Sequence, residues 1–338
     1  MGLKLSMRLN KRHTMLKAGA KKKSSPLVLC SLSLVTAFIL AGCMPASIKE
    51  VHGTAERLEQ ATEVHGVRLE SAAHPHPIRV VSRDFVEAAD IRQCKRPLLV
   101  MLHGTPGDWK IFANQFADKS LYNTFHLVAI ERPGWGGSVD QSELTNSKIS
   151  KAVEPDFQKQ IDALAPAMNW LSECGSQPLF LLGHSYGATI APLVAKALQD
   201  RQITPAALIL LAGNYSQSTQ ETRWYNKLAN TIVVRWFIGE DLENSNDEMM
   251  ALHAQLKELD TLWPQLKSPI VFIQGDKDKL VSPENIRFAR RLADSGKLQQ
   301  PAQVIELKDE GHLFHLVQST RLSNRLLELQ SSVEAVAP

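Results

Sequence analysis

Five apolar runs, each too short for a typical helix and without regular polar alternation, set the limits on this fold: Leu98–Leu102, Phe125–Ile130, Leu179–Leu182, Ala207–Ala212 and Ile270–Ile273. A strand covered on both faces reads this way, because neither side of its pleat meets water. Val304–Leu307 makes a shorter last strand. Val64–Leu69 and Ile78–Val86 make two opening strands, spaced as a hairpin around His74-Pro75-His76-Pro77. Helical stretches separate them, from about Asp108 to Tyr122, Phe157 to Glu173, Ala188 to Gln199, Pro283 to Ala293 and His312 to Val333. Strands alternating with helices predict an α/β protein, with a mostly parallel eight-stranded sheet and helices on both faces.

Residues 215–267 break this alternation. Trp224, Leu228, Ile232 and Trp236 fall four apart on one helical face, and Met249, Leu252, Leu256, Leu259 and Trp263 make a second. A structureless loop of this length is unusual inside a compact domain. The segment reads as a helical insert over one edge of the sheet.

Charge is unevenly distributed. The whole chain carries +3, but residues 1–42 hold eight Lys or Arg and no Asp or Glu, which leaves −5 on residues 43–338. The basicity belongs to the N-terminus, and no basic face for nucleic acid remains. Behind it runs Leu27–Ala41, interrupted by Cys30, Ser31, Ser33 and Thr36 and ending in Leu40-Ala41-Gly42-Cys43. A basic stretch, a short apolar run and small residues describe a secretory signal. At about 15 residues the run is short of the roughly 20 that cross a bilayer, which is the alternative reading. Met15 is a second candidate start, since Lys17 and Lys21–Lys23 still supply the charge. Leu-Ala-Gly-Cys resembles the lipobox of bacterial lipoproteins. That resemblance implies cleavage before Cys43, lipidation of its thiol and a membrane anchor. With Met44 next, it implies an outer-membrane protein facing the periplasm. Residues 43–62, polar and small, read as a tether.

Chemistry concentrates in Gly183-His184-Ser185-Tyr186-Gly187, which follows one apolar run and precedes a helix. Gly-x-Ser-x-Gly between strand and helix puts a serine on a strained turn, with the amides of the next helix aimed at the reaction centre. Four further motifs end other runs in order: His103-Gly104-Thr105-Pro106-Gly107, Glu131-Arg132-Pro133-Gly134-Trp135-Gly136-Gly137-Ser138, Gly275-Asp276-Lys277-Asp278 and Gly311-His312. Together they resemble the α/β-hydrolase fold family over nearly all of residues 63–335. The resemblance implies core segments 63–214 and 268–338 with a helical cap at 215–267. It also implies a Ser185, Asp278, His312 triad. Ser185 is then the nucleophile, His312 its base and Asp278 the group that orients the imidazole. The backbone N–H groups of Thr105 and Tyr186 make the oxyanion hole. Asp276 is an alternative acid and His315 an alternative base.

The glycine-rich 134–137 stretch lacks the ending of a phosphate loop and reads as a tight turn. His74-x-His76 reads as an exposed turn, and no spacing implies a metal or other cofactor. The resemblance places Cys94 and Cys174 before two neighbouring parallel strands, which implies a disulfide. It also makes Trp224, Trp236, Phe237, Met249, Met250 and Trp263 candidate pocket residues, or packing within the cap. The reading that follows is a serine hydrolase cleaving an ester bond of a small, largely apolar substrate through an acyl-enzyme. A prolyl-aminopeptidase-like peptidase, a carbon–carbon bond hydrolase and a non-catalytic lipid-anchored binding protein are the alternatives.

Overall fold

The computed structural model describes residues 46–70, 77–139, 153–220, 226 and 240–335. Residues 1–42, Cys43, His74, His76, Trp224, Leu228, Ile232, Trp236 and Phe237 lie outside the described residues. Eight strands form one sheet in the order β1-β2-β4-β3-β5-β6-β7-β8. They are β1 (His65–Leu69), β2 (Ile78–Ser82), β3 (Leu98–Leu102), β4 (His126–Ile130), β5 (Leu179–His184), β6 (Ala207–Leu211), β7 (Ile270–Gly275) and β8 (Ala302–Leu307). β2 runs antiparallel to both β1 and β4, and every other pairing is parallel.

The uninterrupted apolar runs have the cause read from the sequence. Every residue of β3, β4, β5, β6 and β7 is buried. Leu98, Val100 and Leu102 face one core and Leu99 and Met101 the other, as strand alternation requires. The helices are α1 (Ala46–Gln60), α2 (Ala113–Ala117), α3 (Lys119–Thr124), α4 (Phe157–Ala163), α5 (Ala165–Ser172), α6 (Tyr186–Asp200), α7 (Glu240–Leu262), α8 (Glu284–Asp294), α9 (Phe314–Val317) and α10 (Ser319–Glu334).

Some boundaries differ from the sequence reading. β2 ends at Ser82 because its Oγ accepts from the Asp84 and Phe85 amides and turns the chain. The 108–122 stretch is a 3-10 turn and two short helices, since Asp118 caps Ser120 and Leu121 and restarts the helix. The tether expected over 43–62 is corrected: from Ala46 to Gln60 it is a helix, and Val51, Ala55 and Leu58 are buried against Trp109, Phe112 and Phe116. Those three positions make a narrow apolar stripe that the polar average of the segment conceals.

Within the insert, α7 turns Leu252, Leu256 and Leu259 inward, all fully buried. Trp263 is buried against Tyr215, Phe272 and Phe288, and its indole N–H donates to the Tyr215 carbonyl. It packs the base of the insert and is not free to line a pocket.

Cys94 and Cys174 form a disulfide, with Cα atoms 5.2 Å apart and 80 residues of separation. They precede β3 and β5, which pair in parallel, at the end of the sheet opposite the site below. Replacing both with serine should lower the free energy of unfolding by about 4 kcal/mol on the chain-entropy estimate. Urea denaturation measures this; a loss below about 1 kcal/mol would show that loop closure contributes little.

Candidate active site

The residues singled out by the sequence converge at the carboxyl ends of the parallel strands. His103 to Thr105 follow β3, Ser185 follows β5, Asp278 follows β7 and His312 follows β8. Ser185 sits between β5 and α6 at φ 56°, ψ −121°, a conformation that costs a non-glycine residue on the order of 1–3 kcal/mol. Close packing enforces it. A Cβ at Gly187 would stand 2.2 Å from the Leu102 carbonyl oxygen, so α6 can approach β3 only with glycine there. Tyr186 opens α6, and its N–H has no acceptor within the helix.

Asp278 and His312 are paired: the His312 Nδ1–H donates to Asp278 Oδ2 at 2.9 Å, and both side chains are buried. The other oxygen, Asp278 Oδ1, accepts from the backbone N–H groups of Leu280 and Val281, each at 2.9 Å. The carboxylate is thus held on two sides and turned toward the imidazole. Asp276, the alternative acid, points elsewhere and accepts from the Asp309 amide at 2.7 Å.

His184, next to Ser185, supports His312 from below. Its Nε2–H donates to the His312 carbonyl at 3.2 Å, and its ring stands 4.9 Å from the His312 ring. His315, the alternative base, stacks on His184 at 4.0 Å instead. It is fully buried, and neither ring nitrogen finds a hydrogen-bond partner among the described residues. Burial, with a smaller contribution from His312, holds its pKa down to about 3. A histidine so placed is neutral packing.

The His103–Thr105 loop lies against the nucleophile. A Cβ at Gly104 would stand 2.9 Å from Ser185 Cβ, so only glycine lets this backbone pass. Thr105 Oγ1 is buried and has no hydrogen-bond partner among the described residues. The loop is fastened by Arg132, which the sequence reading names only within the Glu131–Ser138 motif. Arg132, fully buried, donates from Nε to the His103 carbonyl at 3.1 Å and from Nη2 to the Gly104 carbonyl at 2.9 Å. Its own N–H donates to His103 Nε2 at 2.9 Å. Burial and the Arg132 charge push the His103 pKa well below its ordinary value, so the neutral ring carries its proton on Nδ1 and donates it to the Gly104 carbonyl at 2.8 Å.

Arg132 in turn meets Glu248 of α7 through two contacts, 2.5 and 3.1 Å, with both side chains fully buried. Trp135 Nε1 also donates to Glu248 at 3.3 Å, and Gln160 accepts from Arg132 at 3.3 Å while donating to the Tyr186 hydroxyl at 3.1 Å. Burial, followed by the Glu248 charge, raises the Tyr186 pKa well above its usual value and keeps the phenol protonated. Glu248 had a signal in the sequence: it continues the Leu252 and Leu256 stripe one turn earlier, a carboxylate in line with core positions.

Glu131 closes the glycine-rich turn by accepting from the Gly137 amide and from Arg79. Among the described residues no helix is long and apolar enough to cross a membrane, and no group of three or more His, Cys, Asp or Glu side chains could hold a metal.

The arrangement offers a strained serine, a carboxylate–imidazole pair and a tightly held backbone loop at the carboxyl ends of the parallel strands. Comparison with known proteins agrees with the fold. The chain is 30% identical over 162 residues to "Probable 1-acylglycerol-3-phosphate O-acyltransferase" of Oryza sativa subsp. japonica, covering 48% of this chain and 34% of that one. It is 24% identical over 164 residues to "Lysophosphatidylserine lipase ABHD12" of Gallus gallus, covering 47% and 38%. The chain therefore spans well under half the length of these relatives. The crystal structure of a membrane phospholipase A, described as a bacterial virulence factor, superposes with a TM-score of 0.57 at 16% identity, over 92% of this chain and 99% of that one. Residues 99–323 match the sequence profile of the alpha/beta hydrolase family. By that match, which takes in the Ser185, Asp278 and His312 positions, the chain belongs to the alpha/beta hydrolase family.

Proposed function

We propose that this hydrolase is a serine esterase working through an acyl-enzyme. The observation that carries the reading is Ser185 in its strained turn, beside the Gly104 backbone and on the same strand ends as the buried Asp278–His312 pair. His312 keeps Nδ1 on Asp278, which leaves Nε2 to take the Ser185 proton as Oγ attacks the ester carbonyl. The negative charge that develops on the carbonyl oxygen is received by the N–H groups of Tyr186 and Thr105. His312 then returns the proton to the leaving alcohol, and water repeats the sequence on the acyl-enzyme.

The substrate we infer is an apolar acyl ester. Two relatives support this, whose names carry single-acyl phospholipids, 1-acylglycerol-3-phosphate and lysophosphatidylserine. We further propose lipidation at Cys43. Only two residues, Met44 and Pro45, lie between Cys43 and Ala46 of α1, a span of about 10 Å at most. An enzyme held that close to a membrane suits an ester supplied by the membrane.

A fluorophosphonate probe tests the reading, since it reacts with a serine activated by a working base. The wild type should label, and Ser185→Ala and His312→Ala should not. A folded wild type that stays unlabelled with and without detergent would favour a non-catalytic binding role.

A further inference from the structure

A planar trans peptide fixes its N–H opposite its C=O. Gly104 and Thr105 share such a peptide, since the cis bond in this loop is the next one, Thr105–Pro106. Holding the Gly104 carbonyl therefore also aims the Thr105 N–H. Two donors hold that carbonyl, Arg132 Nη2 at 2.9 Å and His103 Nδ1 at 2.8 Å. The His103 donor depends on Arg132 as well, because the Arg132 amide occupies His103 Nε2 and leaves the proton on Nδ1. The first tether is the Arg132 side chain and the second depends on its backbone N–H, so a side-chain substitution at Arg132 removes the guanidinium donor alone.

Arg132 is set by the insert. Glu248 lies on α7, 116 residues along the chain, and engages Nη1 and Nη2 of the guanidinium. The same guanidinium stacks over the Tyr186 ring at 4.6 Å, so it touches Tyr186 itself and the carbonyl end of the Gly104–Thr105 peptide, the two sources of N–H groups in the esterase reading. A fully buried charged pair is a costly way to hold the loop after β4 against α7, since apolar residues of similar volume often serve as well or better. What apolar residues cannot do is donate to the Gly104 carbonyl.

We propose that Arg132 and Glu248 are positioning residues that aim the Thr105 N–H at the reacting carbonyl, and that through Glu248 the seating of α7 sets the strength of the oxyanion hole. The inference rests on the esterase reading. It makes the insert part of the catalytic geometry: when α7 is seated the Thr105 N–H is fixed, and when it lifts Arg132 loses its partner.

The test uses the full chain as wild type, Glu248→Gln and the double variant Arg132→Met/Glu248→Leu. Active sites are counted with the fluorophosphonate. Turnover of a p-nitrophenyl ester is compared with the affinity for a trifluoromethyl ketone, which adds to a serine and forms an oxyanion. In the double variant kcat per titrated site should fall about 10²-fold, the cost of one oxyanion donor. Ketone affinity should fall in parallel while KM stays within about threefold, since the loss is confined to the charged state. Glu248→Gln keeps the shape and weakens the pair, and should lose about 10-fold in both. A purely structural role would change the melting temperature or the titrated fraction and leave kcat per site and ketone affinity alone. That result in the double variant, or in Glu248→Gln if the double variant does not fold, would overturn the proposal. A wild type that neither labels nor turns over would instead remove the esterase reading, and the inference with it.

Discussion

Asp278→Asn should lower kcat by about 10⁴ with little change in stability, whereas Asp276→Asn should stay within a few-fold of wild type. The direction follows from which oxygen is already committed. Asp278 Oδ1 accepts two backbone N–H groups, from Leu280 and Val281, and only an oxygen can fill that place. An asparagine must therefore put its carbonyl there and turn its NH2 toward His312 Nδ1. The imidazole then has to accept at Nδ1 and carry its proton on Nε2, the tautomer that cannot take the proton of Ser185. Asp276 bonds only the Asp309 amide among the described residues and does not touch His312. Steady-state hydrolysis of a p-nitrophenyl ester, normalised to titrated sites, distinguishes the two. A silent Asp276→Asn beside an active Asp278→Asn would reverse the assignment.

Local sequence carried a large part of this geometry, for a physical reason. Ser185 and Asp278 each follow a fully buried strand, and a buried strand advertises itself as an apolar run closed by a turn; His312 follows β8, which is only partly buried and reads more weakly. Gly-x-Ser-x-Gly is legible because a Cβ at Gly187 would strike backbone that cannot move. The choice between Asp276 and Asp278 rested on the family's spacing, and between His312 and His315 on the preceding glycine. The bonds to Leu280, Val281 and His184 supply the physical grounds.

What stayed hidden depends on pairing across long separations. Arg132 and Glu248 lie 116 residues apart, and nothing local to either names the other. The resemblance leaves Trp263 as either a pocket residue or packing within the cap, and its partners Tyr215, Phe272 and Phe288, which decide for packing, are hidden in the sequence. The helix α1 was read as a tether because its apolar stripe is only three residues wide. In each case the residue type was visible and its partner was not.

The buried histidines lead to an acid-sensitivity of the fold. His103, His184 and His315 are all buried, and burial is the main cause that holds each below its ordinary pKa, His315 to about 3. In the folded protein they stay neutral through mild acid, while in the unfolded chain each binds a proton near pH 6.5. Below that pH the unfolded state takes up protons that the folded state refuses. Stability is therefore full above about pH 7 and falls as the pH drops. Each histidine contributes about 1.4 kcal/mol per pH unit in that window, so three together give a slope of about 4. Glu131 acts in the opposite sense, because burial raises its pKa and its contribution is lost as pH rises. Glu258, which is also raised, by burial first, acts with it, and two carboxyls do not offset three imidazoles. Urea midpoints measured at pH 7.5, 6 and 5 should fall steeply, against a total stability that for a domain is about 5–15 kcal/mol. His315→Phe removes an imidazole with no hydrogen bond to lose and should flatten the slope by about a third. Midpoints that stay constant from pH 7.5 to 5 would mean that these histidines can be protonated in the folded state, and that the stack beneath His312 is open to water.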